Sequence, residues 1–357
     1  MQPRLDQTRE RFDEWEVDGI LITTPANRRW LTGFTGSAGR LLLTRDKAIL
    51  ATDSRYWTQV SREAPDVALF STRDNPADTA NFLAEGGVSR IGIEANAMPL
   101  AEFRALEKLA DYTWVALSSP IEALRQVKTS DELAMIQAAA RITDLAMGQV
   151  PTMVRLGMTE GELAWLLEKT MREAGAGAMA FDIIVASGPN SALPHHHPGD
   201  RQLQAGDALI VDMGAAVDGY KSDLTRSFFL GSTATDEYWS IYNTVLAAHE
   251  ATIVKLRAGM TGQAADALAR DVITAAGFGE RFGHGLGHGV GLDIHEEPRL
   301  SRLREKETIP AGSVVTVEPG IYIPGFGGVR IEDLILVGEA GSTYLSHAPK
   351  TPLIPVN

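Results

Sequence analysis

The sequence predicts a two-domain protein of mixed α/β (α+β) class, its larger domain built from two copies of one half. Three observations carry this expectation. The chain has 357 residues, too many for one domain of roughly 100–200 residues. Its first third alternates strand-like and helix-like segments, the pattern of βαβ units. The rest of the chain repeats itself.

In the first domain, Gly19–Thr23, Leu41–Thr44 and Ala48–Ala51 read as strands. Ala80–Glu85 and Leu100–Leu109 read as helices, and Ile91–Ile93 and Thr113–Leu117 as further strands. The glycine-rich run Thr32–Gly39 is most simply a turn. Asp53–Trp57 can be a surface ion pair or part of a substrate wall. Ser118-Ser119-Pro120 breaks the pattern, and Thr129 with Glu132 forms a capping box that opens a helix. The boundary is expected near Lys128, giving domains 1–127 and 128–357.

The second domain carries the repeat. Val154–Thr159 is echoed by Leu256–Thr261, and each threonine can cap a helix that an Ala-Gly pair ends, at Ala174-Gly175 and Ala276-Gly277. Another Ala-Gly pair then precedes an apolar strand that ends in an acid. Ala208–Gly214 contains Asp212, and Ser313–Gly320 contains Glu318. A turn at Val217-Asp218-Gly219 leads to a return strand with Asp223. A turn at Pro324–Gly328 leads to one with Glu332. Asp212 and Asp223 are symmetric about the Val217–Asp218 midpoint, so an unbulged register places them opposite each other. Glu318 and Glu332 are symmetric about Gly325. Opposed like charges are destabilising and buried charges need partners. A divalent cation removes both costs, and carboxylate oxygens suit such ions. A lone strand-end acid is usually a turn or cap residue, but two such pairs in register with a duplication point to metal binding. A pseudo-twofold axis between the copies would bring all four acids to one point.

Between the hairpins lies Gly283–Gly291, with His284 and His288, followed by His295. The run lacks the spacing of a phosphate-binding loop, so its glycines are expected to let backbone come close to a metal or substrate. His288 is the better ligand. His284 and His295 are better placed to meet substrate. Of His195-His196-His197, one is expected to be functional and two to face solvent. His249, in a predicted helix, reads as structural.

Composition excludes several classes. A net charge of −13 argues against nucleic acid or an anionic membrane as partner. The absence of cysteine excludes disulfides, zinc–thiolate sites and a cysteine nucleophile, and fits a reducing cytoplasm. No basic segment followed by an apolar run opens the chain, and no apolar run reaches the roughly 20 residues of a spanning helix.

Taken together, Asp212-Met213-Gly214, Gly219–Arg226, Gly287–Glu296, Glu318-Pro319-Gly320 and Arg330–Asp333 resemble the creatinase/methionine-aminopeptidase superfamily of metallopeptidases. Within it the chain is similar to the Xaa-Pro peptidases, aminopeptidase P and prolidase. The resemblance extends to Asn27–Phe34 and Asp53–Tyr56. It implies a small creatinase-like N-terminal α/β domain, a C-terminal pseudo-twofold pita-bread catalytic domain and a homodimer. It implies five ligands for two divalent cations, Asp212, Asp223, His288, Glu318 and Glu332, with Asp223 and Glu332 shared by both ions. The usual ion is Mn²⁺, with Co²⁺ or Zn²⁺ as substitutes. His195, His284 and His295 match substrate and transition-state histidines. Phe181, Tyr322 and Arg330 fall where the family builds its proline pocket or the layer behind it. The implied reaction is hydrolysis of the bond before proline, through a water whose pKa the cations lower, with Glu318 carrying the proton to the leaving nitrogen. An Xaa-Pro aminopeptidase is the first reading, and an Xaa-Pro dipeptidase, with Arg299 meeting the proline carboxylate, the second. A metal-containing peptide-binding protein without catalysis is the third. Methionine aminopeptidases usually lack such an N-terminal domain.

Overall fold

The computed structural model describes residues 2–73, 75–109 and 111–356. It divides into two compact units, the first ending at Arg125 and the second beginning at Gln126.

The first unit is built on a mixed sheet. Its strands are β1 (Gly19–Ile22), β2 (Arg40–Thr44), β3 (Ala48–Thr52), β4 (Ala68–Ser71), β5 (Arg90–Glu94) and β6 (Thr113–Leu117), in the order β4-β3-β2-β1-β5-β6. The helices are α1 (Gln2–Arg9), α2 (Pro25–Thr32), α3 (Trp57–Glu63), α4 (Pro76–Gly86), α5 (Leu100–Leu106) and α6 (Pro120–Arg125). The expected strands are present. β4 was not expected, because its residues are mostly exposed and show no apolar alternation. The helix expected from Ala80 starts at Pro76, where the Asn75 side chain accepts from the Asp78 amide at 2.9 Å. Pro120 does not only break the pattern. It opens α6, since a first-turn proline gives up an amide the helix cannot use. The turn at 32–39 encloses the buried Arg28 guanidinium, which donates to the Gly36 and Gly39 carbonyls. Asp53 and Arg55 form a two-point pair at 2.8 Å, with Arg55 exposed.

In the second unit α7 (Ser130–Met153) begins at the expected capping box, with Glu132 accepting from the Thr129 amide at 2.8 Å. The first copy continues with α8 (Glu160–Glu173), β7 (Ala178–Met179), β8 (Ile184–Ser187), β9 (Ala208–Met213), β10 (Ala215–Val217), β11 (Tyr220–Lys221) and β12 (Leu224–Leu230). The second copy holds α9 (Asp236–Lys255), α10 (Gly262–Ala275), β13 (Gly287–Gly289), β14 (Glu296–Leu300), β15 (Val314–Val317), β16 (Gly320–Ile323), β17 (Gly327–Arg330), β18 (Asp333–Val337) and β19 (Ser342–Tyr344), with β20 (Leu353–Ile354) returning to the first copy's sheet. The main sheets run β20-β12-β9-β8 and β14-β13-β15-β18-β19.

The duplication is visible bond by bond. Thr159 and Thr261 cap α8 and α10, which have 14 residues each. Leu203 N donates to Met158 O at 2.8 Å, and Ile309 N donates to Met260 O at 2.9 Å. Gly206 N to Leu230 O and Gly312 N to Val337 O are both 2.8 Å. Each copy has its own apolar core. One joins Met147, Leu163, Leu167, Val211 and Phe228, and the other joins Ile241, Val245, Ala269, Val315 and Ile335. Each sheet is therefore anchored by its own helix pair, and the strand ends of both copies are free to carry the site.

Candidate metal centre

The first hairpin turns at Asp218 and Gly219, whose φ values are 44° and 73°. Such a two-residue turn fits the twist of the flanking strands. Its register pairs Val217 with Tyr220, Ala216 with Lys221 and Asp212 with Thr225. Asp212 therefore faces Thr225, not Asp223 as the sequence symmetry suggested. The turn midpoint lies one residue later than expected, and each residue of midpoint moves the partner by two. Asp223 remains Asp212's diagonal neighbour on the same face. In the second hairpin the expected register holds. Val317 pairs with Asp333 and Gly320 with Arg330, so Glu318 and Glu332 sit matched in the gap between the two ladders.

β13 brings the histidine. A side-chain carbon on Gly287 would collide with the Thr316 carbonyl of β15, and one on Gly289 with the Glu297 carbonyl of β14. These glycines thus serve close approach between strands, and Gly285 and Gly287 also bring backbone to the cavity that the candidate metal ligands line. His288 Nδ1 lies 3.1 Å from the Gly289 carbonyl, leaving Nε2 3.4 Å from Glu318 Oε1 and 3.6 Å from Asp223 Oδ2. One ligand atom each of Asp223, His288 and Glu332 lies within 4.8 Å of the others.

Three buried carboxylates and the half-buried Glu318 repel one another here. Burial first, then the charges of Glu332, Asp212 and Glu318, holds the Asp223 carboxyl well above the usual carboxylate range. Burial and the charges of Glu318 and Asp212 do the same to Glu332. Burial pushes Glu318 up to about 7 and His288 down to about 3, so the imidazole is a neutral ligand. Asp212 Oδ2 accepts from Arg330 Nη2 at 2.6 Å, while its Oδ1 is buried without a hydrogen-bond partner. An unpaired buried oxygen, mutually repelling acids and a neutral imidazole are what a cation stabilises. The residues present fit divalent metal.

The five candidate ligands line one cavity of about 590 Å³ with Phe181, His195, His284, His295, Arg299 and Arg330, in the range of small-ligand sites. The His295 ring meets that of His288 edge-on, with centroids 4.4 Å apart. His284 Nε2 is 3.0 Å from the Tyr322 hydroxyl, which also accepts from Arg330 Nη1 at 2.9 Å. Burial lowers His284 to about 4. Tyr322 itself is buried behind the wall and is not among the lining residues. Its contribution to the cavity passes through His284 and Arg330. His196 departs from the solvent-facing expectation. Its Nε2 is 2.7 Å from the buried Glu160 Oε2. His249 is fully buried in α9, 3.1 Å from Asp333, consistent with the structural reading. Sequence reasoning missed Thr225, whose hydroxyl donates to Glu332 Oε2 at 2.6 Å and receives Arg330 Nε at 3.1 Å. Its position two residues after Asp223, on the same strand face, was the available signal.

Two duplicated halves that converge buried acids and a neutral imidazole beneath a peptide-sized cavity form the centre of a metal-dependent hydrolase. Residues 134–339 match metallopeptidase family M24, and residues 4–127 match the creatinase/prolidase N-terminal domain. A peptidase of Bacillus subtilis is 39% identical over 98% of this chain and 99% of its own length. Among solved structures, an Xaa-Pro dipeptidase from Bacillus anthracis superposes with a TM-score of 0.95 at 39% identity, covering 100% of this chain and 99% of that one. An X-Pro aminopeptidase from Thermotoga maritima gives 0.91 at 34% identity, covering 99% of each chain. The chain belongs to metallopeptidase family M24, with the two-domain fold of these peptidases and a pita-bread catalytic unit.

Proposed function

We propose that this metallopeptidase cleaves the peptide bond preceding proline and releases the N-terminal residue of Xaa-Pro peptides. The observation that carries the reading is the cavity lined by the five candidate metal ligands together with His195, His284 and His295. The names of the similar Bacillus anthracis and Thermotoga maritima proteins support the proline specificity. Asp212, Asp223, His288, Glu318 and Glu332 would hold two divalent cations, with Asp223 and Glu332 shared. The family resemblance favours Mn²⁺, which carboxylate oxygens suit, with Co²⁺ or Zn²⁺ as substitutes. When bound, such cations lower the pKa of a water and polarise a carbonyl oxygen.

The chain's own residues do the rest. Glu318 would be ionised when it holds the cations, so it can take a proton from the attacking water and pass it to the leaving proline nitrogen. His195 and His295 offer ring N–H groups to the substrate and the developing oxyanion. His284 joins them by exchanging its Tyr322 hydroxyl for the substrate. Arg330 holds Asp212 at 2.6 Å and fixes that carboxylate's direction. Phe181 supplies an apolar wall for the proline ring. The domain division at residues 127 and 128, a homodimer and a cytoplasmic location belong to the same reading.

A second reading has one specific support. Arg299 lines the same cavity, and a cation there can receive the carboxylate of a proline that ends the substrate, as in an Xaa-Pro dipeptidase. Steady-state kinetics with Mn²⁺ on an Xaa-Pro dipeptide and an Xaa-Pro-Yaa tripeptide separate the two. Efficient tripeptide cleavage is the expected result. Cleavage of the dipeptide alone would replace the first reading with the second.

A further inference from the structure

His195 lines the cavity, yet among the described residues its ring makes no hydrogen bond. Its direction is set by its neighbours in the chain. The Pro194 carbonyl before it accepts from Arg330 Nη1 at 3.3 Å. The His196 ring after it is tied to Glu160, the first residue of α8. The Glu160 side chain has no exposure at all, and a buried carboxylate needs donors. It has Ser187 N at 2.8 Å, Ser187 Oγ at 2.7 Å, Asn190 Nδ2 at 3.1 Å and His196 Nε2 at 2.7 Å. Arg201 locks the same segment from the other end, bonding the Ser187 hydroxyl and both oxygens of Asp207.

The other copy does the same by other means. Asp266, the fifth residue of α10, is buried and pairs with Arg270 at 2.6 and 2.9 Å. Asp266 accepts from Leu286 N at 3.0 Å, and Arg270 donates to the Phe282 carbonyl at 2.9 Å and to the His284 carbonyl at 2.7 Å. In each copy an acid on the threonine-capped helix grips the loop that bears a cavity histidine. The acids occupy different helical positions, so the shared feature is the grip on the loop and not a copied residue.

We infer that Glu160 and His196 are positioning residues that aim His195 at the substrate. This rests on the reading of His195 as a substrate-facing group. Without the His196 ring, Glu160 keeps three donors from Ser187 and Asn190, so α8 and its capping box stay in place while the loop loses its tie beside His195.

The test is a double-mutant cycle on the Mn²⁺-loaded protein with an Xaa-Pro peptide. His196→Ala should lower kcat on the order of 10²-fold, the effect of misplacing a reacting group by about 1 Å, with metal content and Tm unchanged. His196→Gln, whose amide N–H can reach Glu160, should recover most of the rate. In a His195→Ala background His196→Ala should cost nothing further, because it acts through His195. Full additivity, or an unaffected His196→Ala, overturns the proposal. A wild-type rate in His195→Ala removes the role of His195 and the proposal with it. The His195 ring resonance, assigned by its loss in His195→Ala, provides a readout that does not depend on which peptide is cleaved. It should shift in His196→Ala, and an unmoved resonance refutes the positioning role even if Xaa-Pro specificity fails.

Discussion

Asp223 and Glu332 are both held well above the ordinary carboxylate range by burial and neighbouring acids. Asp223→Asn and Glu332→Gln keep the volume and remove the charge. Each should reduce bound metal per chain and abolish turnover with an unchanged circular-dichroism spectrum. A near-native rate with full metal content in either variant would contradict its role as a shared ligand. The histidines should divide. His288→Ala should lose metal as well as activity, whereas His284→Ala and His295→Ala should retain metal and lose about 10²–10³ in rate, the value of one oxyanion donor. Elemental analysis and kinetics on the same preparations decide this. Glu318 adds a pH dependence. In metal-stripped protein its carboxyl is raised from the ordinary 4.5 to about 7. Between those values the native state holds a proton that the unfolded chain has released. Its contribution to stability is therefore complete below about 4.5 and is lost as pH rises through about 7. Stripping the metal should lower Tm more at pH 8 than at pH 5.5, measured by scanning fluorimetry. An equal loss at both pH values would count against it.

The two acid hairpins depend on their turns. Asp218 and Gly219 adopt left-handed φ values of 44° and 73°, and only glycine does so without penalty. Gly219→Ala should cost about 1–2 kcal/mol, read from urea unfolding, and should weaken metal binding because the turn sets where Asp223 stands. A variant as stable as wild type would show the turn to be dispensable. This hairpin also shows how local chemistry is misread. Asp-Gly between apolar runs is a strong two-residue turn signal. Centring the register on it gives the observed Asp212–Thr225 pairing, whereas centring one residue earlier does not. The second hairpin, with its turn at Pro324–Gly328, was readable to the residue. So were the capping box at Thr129 and the threonine caps at Thr159 and Thr261. The exposed strand β4 and the short helices α1, α2 and α3 were not, because neither burial alternation nor a long amphipathic stripe marks them.

For the molecule as a whole, the duplication is the organising fact. Two sheets, each backed by its own helices and core, present strand ends that carry the acids. Among the described residues no helix is long and apolar enough to cross a membrane. The proposed homodimer is checked by light scattering. The expected mass is near twice the 38.5 kDa of one chain, and a monomer at working concentration would refute it.

The repeat and the acid-ended strands could be read from the chain alone by short-range rules: period-two burial, turn chemistry and helix capping within about ten residues. The convergence of the candidate metal ligands was read from the duplication and from the family resemblance. What stands behind the donors could not be read this way. Thr225 meets Glu332 across 107 residues, Arg330 meets Asp212 across 118, and Glu160 meets His196 across 36. Such contacts need buried side chains to find partners once packing has closed around them. Where each carboxylate and imidazole points depends on that closure, and no local pattern encodes it.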